Sequence, residues 1–331
     1  MTSHRLHQQL LALALPVFSL CPLVAHGQSV WAGITNTDWN TATNWVPGIP
    51  AEGTAISIAD GATNALVLNA PHSISGFTFG ATGTRTSGHN TQTNAHTLTI
   101  GAGGIVANGN FTGGLGPQLL GNIIVSANQN WSVGGTTGAY TDDRGLAVRG
   151  NSTAAATAPT GSIVLNANVT KTGPGVIMLI ATGVSGAGNL IIDQGAVKLN
   201  AGNTQPLVLG GTGNITVNNA SSLFLARNSG TFDITRPMIF NGTSTLVLGN
   251  GTGTTLGNAI TWNGAAHTMP VHTPYTLTGT MTSQPGAVIT KSGGGVLTLS
   301  GDYTGFPATL KITGGGVNIN STMPGAVEVS A

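Results

Sequence analysis

Along most of the chain, aliphatic residues come in pairs two positions apart. A small or polar residue sits between them, and glycine, asparagine or serine flanks them. "AISIAD", "ALVLNA", "HTLTIG", "SIVLNA", "NITVNN", "SLFLA", "STLVLGN", "AITWNG" and "YTLTGT" are short runs in this style, with Val or Phe as the middle residue in four of them and an aromatic in place of one aliphatic in "AITWNG" and "YTLTGT". A period of two puts both aliphatic side chains on one face of a short strand, and the flanking residues are turn formers. After Gly27 no stretch keeps an i, i+3, i+4 apolar stripe for three helical turns. The pattern predicts an all-β chain.

The pattern also recurs at long range. Residues 170–200, "TKTGPGVIMLIATGVSGAGNLIIDQGAVKLN", and 290–320, "TKSGGGVLTLSGDYTGFPATLKITGGGVNIN", align over 31 positions without a gap, at a constant offset of 120. Eleven residues are identical, among them Thr170/Thr290, Lys171/Lys291, Gly173/Gly293, Gly175/Gly295, Leu190/Leu310 and Gly195/Gly315. In the first copy the aliphatic pairs are Ile177 and Leu179, Leu190 and Ile192, Val197 and Leu199; the second copy has Leu297 and Leu299, Leu310 and Ile312, Val317 and Ile319. The second pair follows the first by thirteen residues and the third follows the second by seven. Internal geometry that recurs along one chain favours coils that stack, each burying its face against the next, over a sandwich or a barrel. The expected fold is therefore a right-handed parallel β-helix (β-solenoid). With about 25 residues per coil it would make roughly a dozen coils and a rod of order 50 Å. Lys171 and Lys291 recur with the repeat and read as solvated positions where a rung begins.

The run Thr170-Lys171-Thr172-Gly173-Pro174-Gly175-Val176, completed by Leu190-x-Ile192-x-x-Gly195-x-Val197, resembles the autotransporter-associated β-strand repeat. So does Thr290-Lys291-Ser292-Gly293-Gly294-Gly295-Val296 with its tail through Asn320. Such repeats occur in large exported bacterial proteins, often autotransporter passengers with β-helical stems. The resemblance implies architecture and export rather than one activity. A complete autotransporter ends in a translocator barrel, whereas this sequence stops at "GAVEVSA", inside what reads as another rung. The expectation is a solenoid incomplete at its C-terminus: a truncated product lacking the barrel, one piece of a split gene, or a secreted form.

The N-terminus agrees with export. Arg5 precedes the apolar run Leu10 to Val24, and Ala25-His26-Gly27 places small residues at the −3 and −1 positions of a cleavage site. This order predicts a signal peptide over residues 1–27, too short for an ordinary membrane span. Cys21, the single cysteine, falls inside it, so the mature chain would hold no disulfide or thiolate-bound metal. Residues 28–60 read as a Trp-rich capping segment, and residues 61–331 as the solenoid, with repeat units at 170–200 and 290–320.

Charge changes the picture by its scarcity. Charged residues are 6% of the chain, where about 25% is usual. The formal net charge is +1, and removal of Arg5 leaves equal numbers of each sign. There is no basic field to attract nucleic acid or anionic lipid, and no membrane-spanning segment in the mature chain. In a parallel stack like charges would recur directly above one another, so the fold itself accounts for the economy.

Candidate chemistry is sparse. "WAGITNTDWNTATNW" gathers Trp31, Trp39 and Trp45, which read either as a plug for the open end of the solenoid or as a glycan contact, since indole faces stack on sugars. Asp142, Asp143 and Arg144 are the densest charge; adjacent strand residues face opposite ways, so the two carboxylates need not converge as glycoside hydrolysis requires. His72, His89, His96, His267 and His272 have no zinc-ligand spacing, and they read as surface or turn histidines. The glycine runs carry no P-loop, no Gly-x-Ser-x-Gly elbow and no calcium-binding aspartates. No catalytic, cofactor-binding or metal-binding residue is assigned, and no cofactor is expected. The sequence suggests an exported, non-enzymatic, adhesin-like solenoid, secreted or at the outer-membrane surface of a bacterium, with surface glycans or other cell-surface proteins as partners. The alternatives are a β-helix polysaccharide lyase or hydrolase, and a glycan-binding module using the three tryptophans.

Overall fold

The computed structural model describes residues 27–80, 84–85, 90–111, 116–135, 145–149, 161–180, 183–201, 207–227, 232–249 and 254–330. Residues 1–26, His89 and the Asp142–Asp143–Arg144 cluster lie outside them. The described chain is all-β apart from one short 3-10 turn at Ala42–Asn44. Its strands stack in parallel as a β-solenoid of about ten turns.

Each central coil contributes one strand to each of three faces. Face A stacks Val169–Thr172, Leu190–Ile192, Ile215–Val217, Met238–Asn241, Ile260–Asn263 and Met281–Ser283. Face B stacks Val176–Ile180, Ala196–Ala201, Ser222–Arg227, Thr245–Leu248, Ala266–Pro270 and Val288–Ser292. Face C carries Ser162–Leu165, Gly183–Ser185, Leu207–Leu209 and Phe232–Ile234, then Thr254–Leu256, Tyr275–Leu277, Leu297–Leu299 and Val317–Ile319. Successive partners on face A, such as Lys171, Ile192, Val217, Phe240, Trp262 and Ser283, are 21 to 25 residues apart, slightly tighter coils than the sequence spacing suggests.

The alternation read from sequence builds the interior. Ile56, Phe77, Ile105, Trp131, Lys171, Ile192, Val217, Phe240 and Trp262 form one inward row of face A. Leu119, Val148, Leu179, Leu199, Leu225, Leu248 and Val271 form one of face B. All are buried. Each row continues because nearly every rung offers the next an aliphatic or aromatic side chain at the same register.

Face B departs from simple alternation. All five residues of Val176–Ile180 are buried. A second apolar cluster of Ala147, Val176, Met178, Ile180, Ala196, Phe224 and Val247 lies apart from the main core. Its members alternate with the inward row, so this face is buried on both sides across the central coils, as in sheets covered on both surfaces. Face A remains half-exposed on its outer side, with Thr170, Ile191, Thr216, Ile239 and Thr261 all intermediate in exposure.

The two repeat copies differ in a way the alignment did not foretell. Leu190–Ile192 stacks on Val169–Thr172 on face A, whereas Thr309–Ile312 stacks on Val288–Ser292 on face B. The offset of 120 residues is thus five coils and one further face, and the motif returns rotated about the axis rather than directly below itself. What it conserves is a corner. Gly173, Gly195, Gly293 and Gly315 all have positive φ, between 66° and 78°. A Cβ on Gly195 would lie 2.5–2.8 Å from the carbonyl oxygens of Gly173, Pro174 and Gly175; one on Gly315 would meet Gly295 O at 2.5 Å and Gly293 O at 2.7 Å. Only glycine combines that backbone region with so close an approach.

Gly195→Ala and Gly315→Ala should each destabilise the solenoid by about 1–3 kcal/mol. Chemical denaturation followed by circular dichroism would measure the loss, and melts unchanged from the parent would contradict the corner assignment.

Candidate functional site

Three arrangements of polar and aromatic side chains stand out, and the first is the tryptophan group. Ser29–Trp31 pairs in parallel with Ile56–Ile58 and antiparallel with Trp45–Val46. Trp31, Trp39 and Trp45 are 0%, 1% and 3% exposed. Trp45 meets the other two edge-on, with centroids 5.0 and 4.9 Å away. Trp39 stacks on His72 at 4.2 Å, and His72 Nδ1 lies 2.8 Å from Glu52 Oε1. Trp31 donates its Nε1–H to Asn64 O at 3.1 Å and Trp45 to Trp39 O at 2.7 Å. Asn44, fully buried and between Trp39 and Trp45 in sequence, organises the loop. Its Oδ1 accepts from the backbone N–H of Thr35 and Asn36, and its Nδ2 donates to Asn36 Oδ1 and Asp38 O. The structure brings the three rings together, but it turns them inward. No indole face is open for a sugar in this conformation, so the glycan contact expected of Trp31, Trp39 and Trp45 has no geometry to support it.

The second arrangement corrects the reading of the repeat lysines. Lys171 and Lys291 occupy inward rows, between Trp131 and Ile192 and between Met269 and Ile312, and both are 0% exposed. Lys171 Nζ donates to the carbonyl oxygens of Thr172 (2.9 Å), Gly173 (2.6 Å) and Gln194 (3.0 Å). Lys291 Nζ donates to Gly293 O at 3.0 Å, Gly295 O at 2.6 Å and Gly314 O. Each ammonium uses its three protons on carbonyls of its own coil and the next, which staples two coils at a corner. Arg236 is buried likewise: Nε donates to Gly210 O (2.8 Å), Nη1 to Gly188 O (2.7 Å), and Nη2 to Ser185 O (3.1 Å) and Gly186 O (2.9 Å). Hydrogen bonds from a charged donor contribute about 1.5–3 kcal/mol each, and carbonyls left unpaired in the interior would cost a similar amount. Burial lowers the Lys171 pKa to about 8 and also pushes Lys291 and Arg236 down. The signal was present in the sequence: a solvated lysine has no reason to recur in step with the glycines whose carbonyls it would touch.

The third arrangement is a set of amide ladders at the corners of face A. Asn128, Asn168, Asn189 and Asn214 form one, each Oδ1 accepting the backbone N–H of the next asparagine at 2.8–2.9 Å. Asp193, Asn218, Asn241 and Asn263 form another through their side chains. Beside the first ladder a groove of about 250 Å³ is lined by Ala102, Asn128, Gln129, Asn130, Asn168, Thr170 and Ile191. It contains no ionisable group.

The histidines do not converge. His72 belongs to the tryptophan group and His96 to the strand Asn90–Ala107. His267, expected at the surface or in a turn, is buried beside Trp262 with its Nδ1 3.1 Å from Ser244 Oγ, and burial lowers its pKa. Among the described residues no group of three His, Cys, Asp or Glu is placed to hold a metal ion. Comparison of the chain with family models, with curated proteins and with solved structures returned no match.

Two outcomes follow from this geometry. Trp45→Ala should cost about 3–5 kcal/mol, as removal of a buried aromatic does, read from the denaturation midpoint; an unchanged midpoint would show the ring to be dispensable. The second concerns Lys171. Its folded pKa of about 8 lies below the ordinary lysine value of 10.5, so between those values the unfolded chain binds more protons. This group therefore makes stability rise as pH increases from about 8 to 10.5. Lys171→Met should remove that slope from the pH dependence of the melting temperature and lower stability at pH 7, where three carbonyls lose their donor. A slope unaltered by the substitution would refute the assignment.

Proposed function

We propose that this chain is an exported, non-enzymatic β-solenoid of the autotransporter-passenger kind, serving at the cell surface or outside it as a stiff element that displays a neutral Thr- and Asn-rich surface. The observation that carries the reading is the continuity of the ladders. Rung seats on rung along faces A and B, and along face C in two successive sheets, and the corners are tied by asparagine amides and by ammonium and guanidinium groups on carbonyls. Such an assembly is stiff by construction, because each coil contacts only its neighbours and its stability accumulates along the axis. About ten rungs at the usual interstrand distance span roughly 48 Å. In this reading Trp31, Trp39 and Trp45 close the first coil, where the inward rows would otherwise meet water.

Further support comes from the likeness of residues 170–200 and 290–320 to the autotransporter-associated repeat, and from the tripartite order of residues 1–27. No helix among the described residues is long and apolar enough to cross a membrane.

Expression of the full chain in a Gram-negative host tests the proposal. The product should reach the envelope or the medium shortened at Gly27, and it should be open to protease added to intact cells if it stays attached. A variant lacking residues 2–27 should remain in the cytosol. Full-length, uncleaved protein retained in the cytosol would overturn the export reading.

A further inference from the structure

Among the described residues, face A joins an uncovered outer side to a groove and to an outward row without charge. The outer side of face B is buried across the central coils by its second apolar cluster. The outer side of face C is interrupted by Asp233, exposed between Phe232 and Ile234. On face A the outward row runs Asn130, Thr170, Ile191, Thr216, Ile239, Thr261, Thr282 in continuous register. No member of it is ionisable. The one acid in the flanking ladders, Asp193, is bonded by Asn218.

We propose that the outer side of face A binds a neutral, hydroxyl-rich glycan chain lying along the solenoid axis, seated in the groove formed by Asn128, Asn130, Asn168, Thr170 and Ile191. This goes beyond the display reading and does not depend on export. The groove fits such a ligand for three reasons. First, the Oδ1 atoms of Asn128 and Asn168 are committed to the N–H groups of the next asparagines. Each amide is thereby oriented, and its NH2 group is the donor it presents; a ligand rich in oxygen acceptors matches that supply. Second, no cation lines the groove or continues the row, so an anionic polymer would lose its hydration without a countercharge. Third, hydroxyl-bearing residues alternate with Ile191 and Ile239 at the rung spacing, a mixed polar and apolar strip like the alternating edges and faces of pyranose rings. Asn130 is exposed, and its side chain and that of Thr170 hold no hydrogen bond among the described residues, so both can meet a ligand without undoing a ladder.

Affinity electrophoresis of the purified full chain through native gels containing dextran, laminarin or galactomannan tests this, with alginate as the polyanionic control. At least one neutral polysaccharide should retard the protein, by an amount insensitive to added salt. Asn130→Arg and Thr170→Arg, each bulky and charged, should weaken that retardation at least tenfold. Thr276→Arg on the outer side of face C should leave it unchanged. Circular dichroism confirms folding, and the two face A variants stand in for each other should one fail to fold. No retardation by any neutral polysaccharide would overturn the proposal. So would retardation that survives both face A substitutions, or retardation by alginate alone that salt abolishes.

Discussion

The structure depends on how a parallel coil disposes of its backbone carbonyls at the corners. Along each face the ladders pair rung with rung, but where the chain turns, several carbonyl oxygens point into one small volume with no strand opposite them. Unpaired carbonyls in an interior cost about as much as the hydrogen bonds they forgo. Lys171, Lys291 and Arg236 resolve the problem by placing a cationic donor at the point of convergence, where it gathers three or four oxygens from adjacent coils. Asparagine amides resolve the milder corners by passing one hydrogen bond from coil to coil. Gly195 and Gly315, with positive φ, follow from the same constraint, since a side chain there would occupy the space the oxygens need.

This explains why the repeat is recognisable although its two copies use different faces. Val169–Thr172 belongs to face A and Val288–Ser292 to face B, yet both present lysine inward, with glycine two positions on. A requirement tied to position around the axis would have kept the copies in register by whole coils. A requirement tied to the corner tolerates any face, provided two consecutive coils bend there alike.

Much of the architecture was legible in the sequence, because the period of two and the glycine punctuation act locally. The strands predicted around "NITVNN", "SLFLA", "AITWNG" and "YTLTGT" are the observed Ile215–Val217, Ser222–Arg227, Ile260–Asn263 and Tyr275–Leu277. What escaped was whatever depends on a neighbour a coil away. Lysine is normally solvated, and nothing in "TKTG" alone says that Gln194 O will lie 3.0 Å from its ammonium. The second apolar layer on face B is hinted at by the unbroken run "VIMLI", but a run of that kind does not reveal which face is doubly covered. The candidate groove was less legible still. Asn128, Asn130 and Asn168 look like turn residues in sequence, and only the pairing of Asn130 with Thr170, 40 positions on, makes them neighbours. The clustering of Trp31, Trp39 and Trp45 is plain in the sequence, but clustering does not distinguish rings that face a ligand from rings that face each other.

The distribution of charge links the interior to the surface. The chain carries ten Lys and Arg residues, and Lys171, Lys198, Arg236 and Lys291 are buried. Three of these four sit where carbonyls converge, and few cations are left to decorate the outside. The outward row of face A is uncharged, so its rungs stack without the repulsion that like charges on adjacent rungs would bring. An uncharged strip cannot steer a partner from a distance, so a ligand seated there would be held by short-range hydrogen bonds and shape. A ligand that repeats along its own length would gain most from such a surface, since each added unit would meet a further rung of the uncharged row.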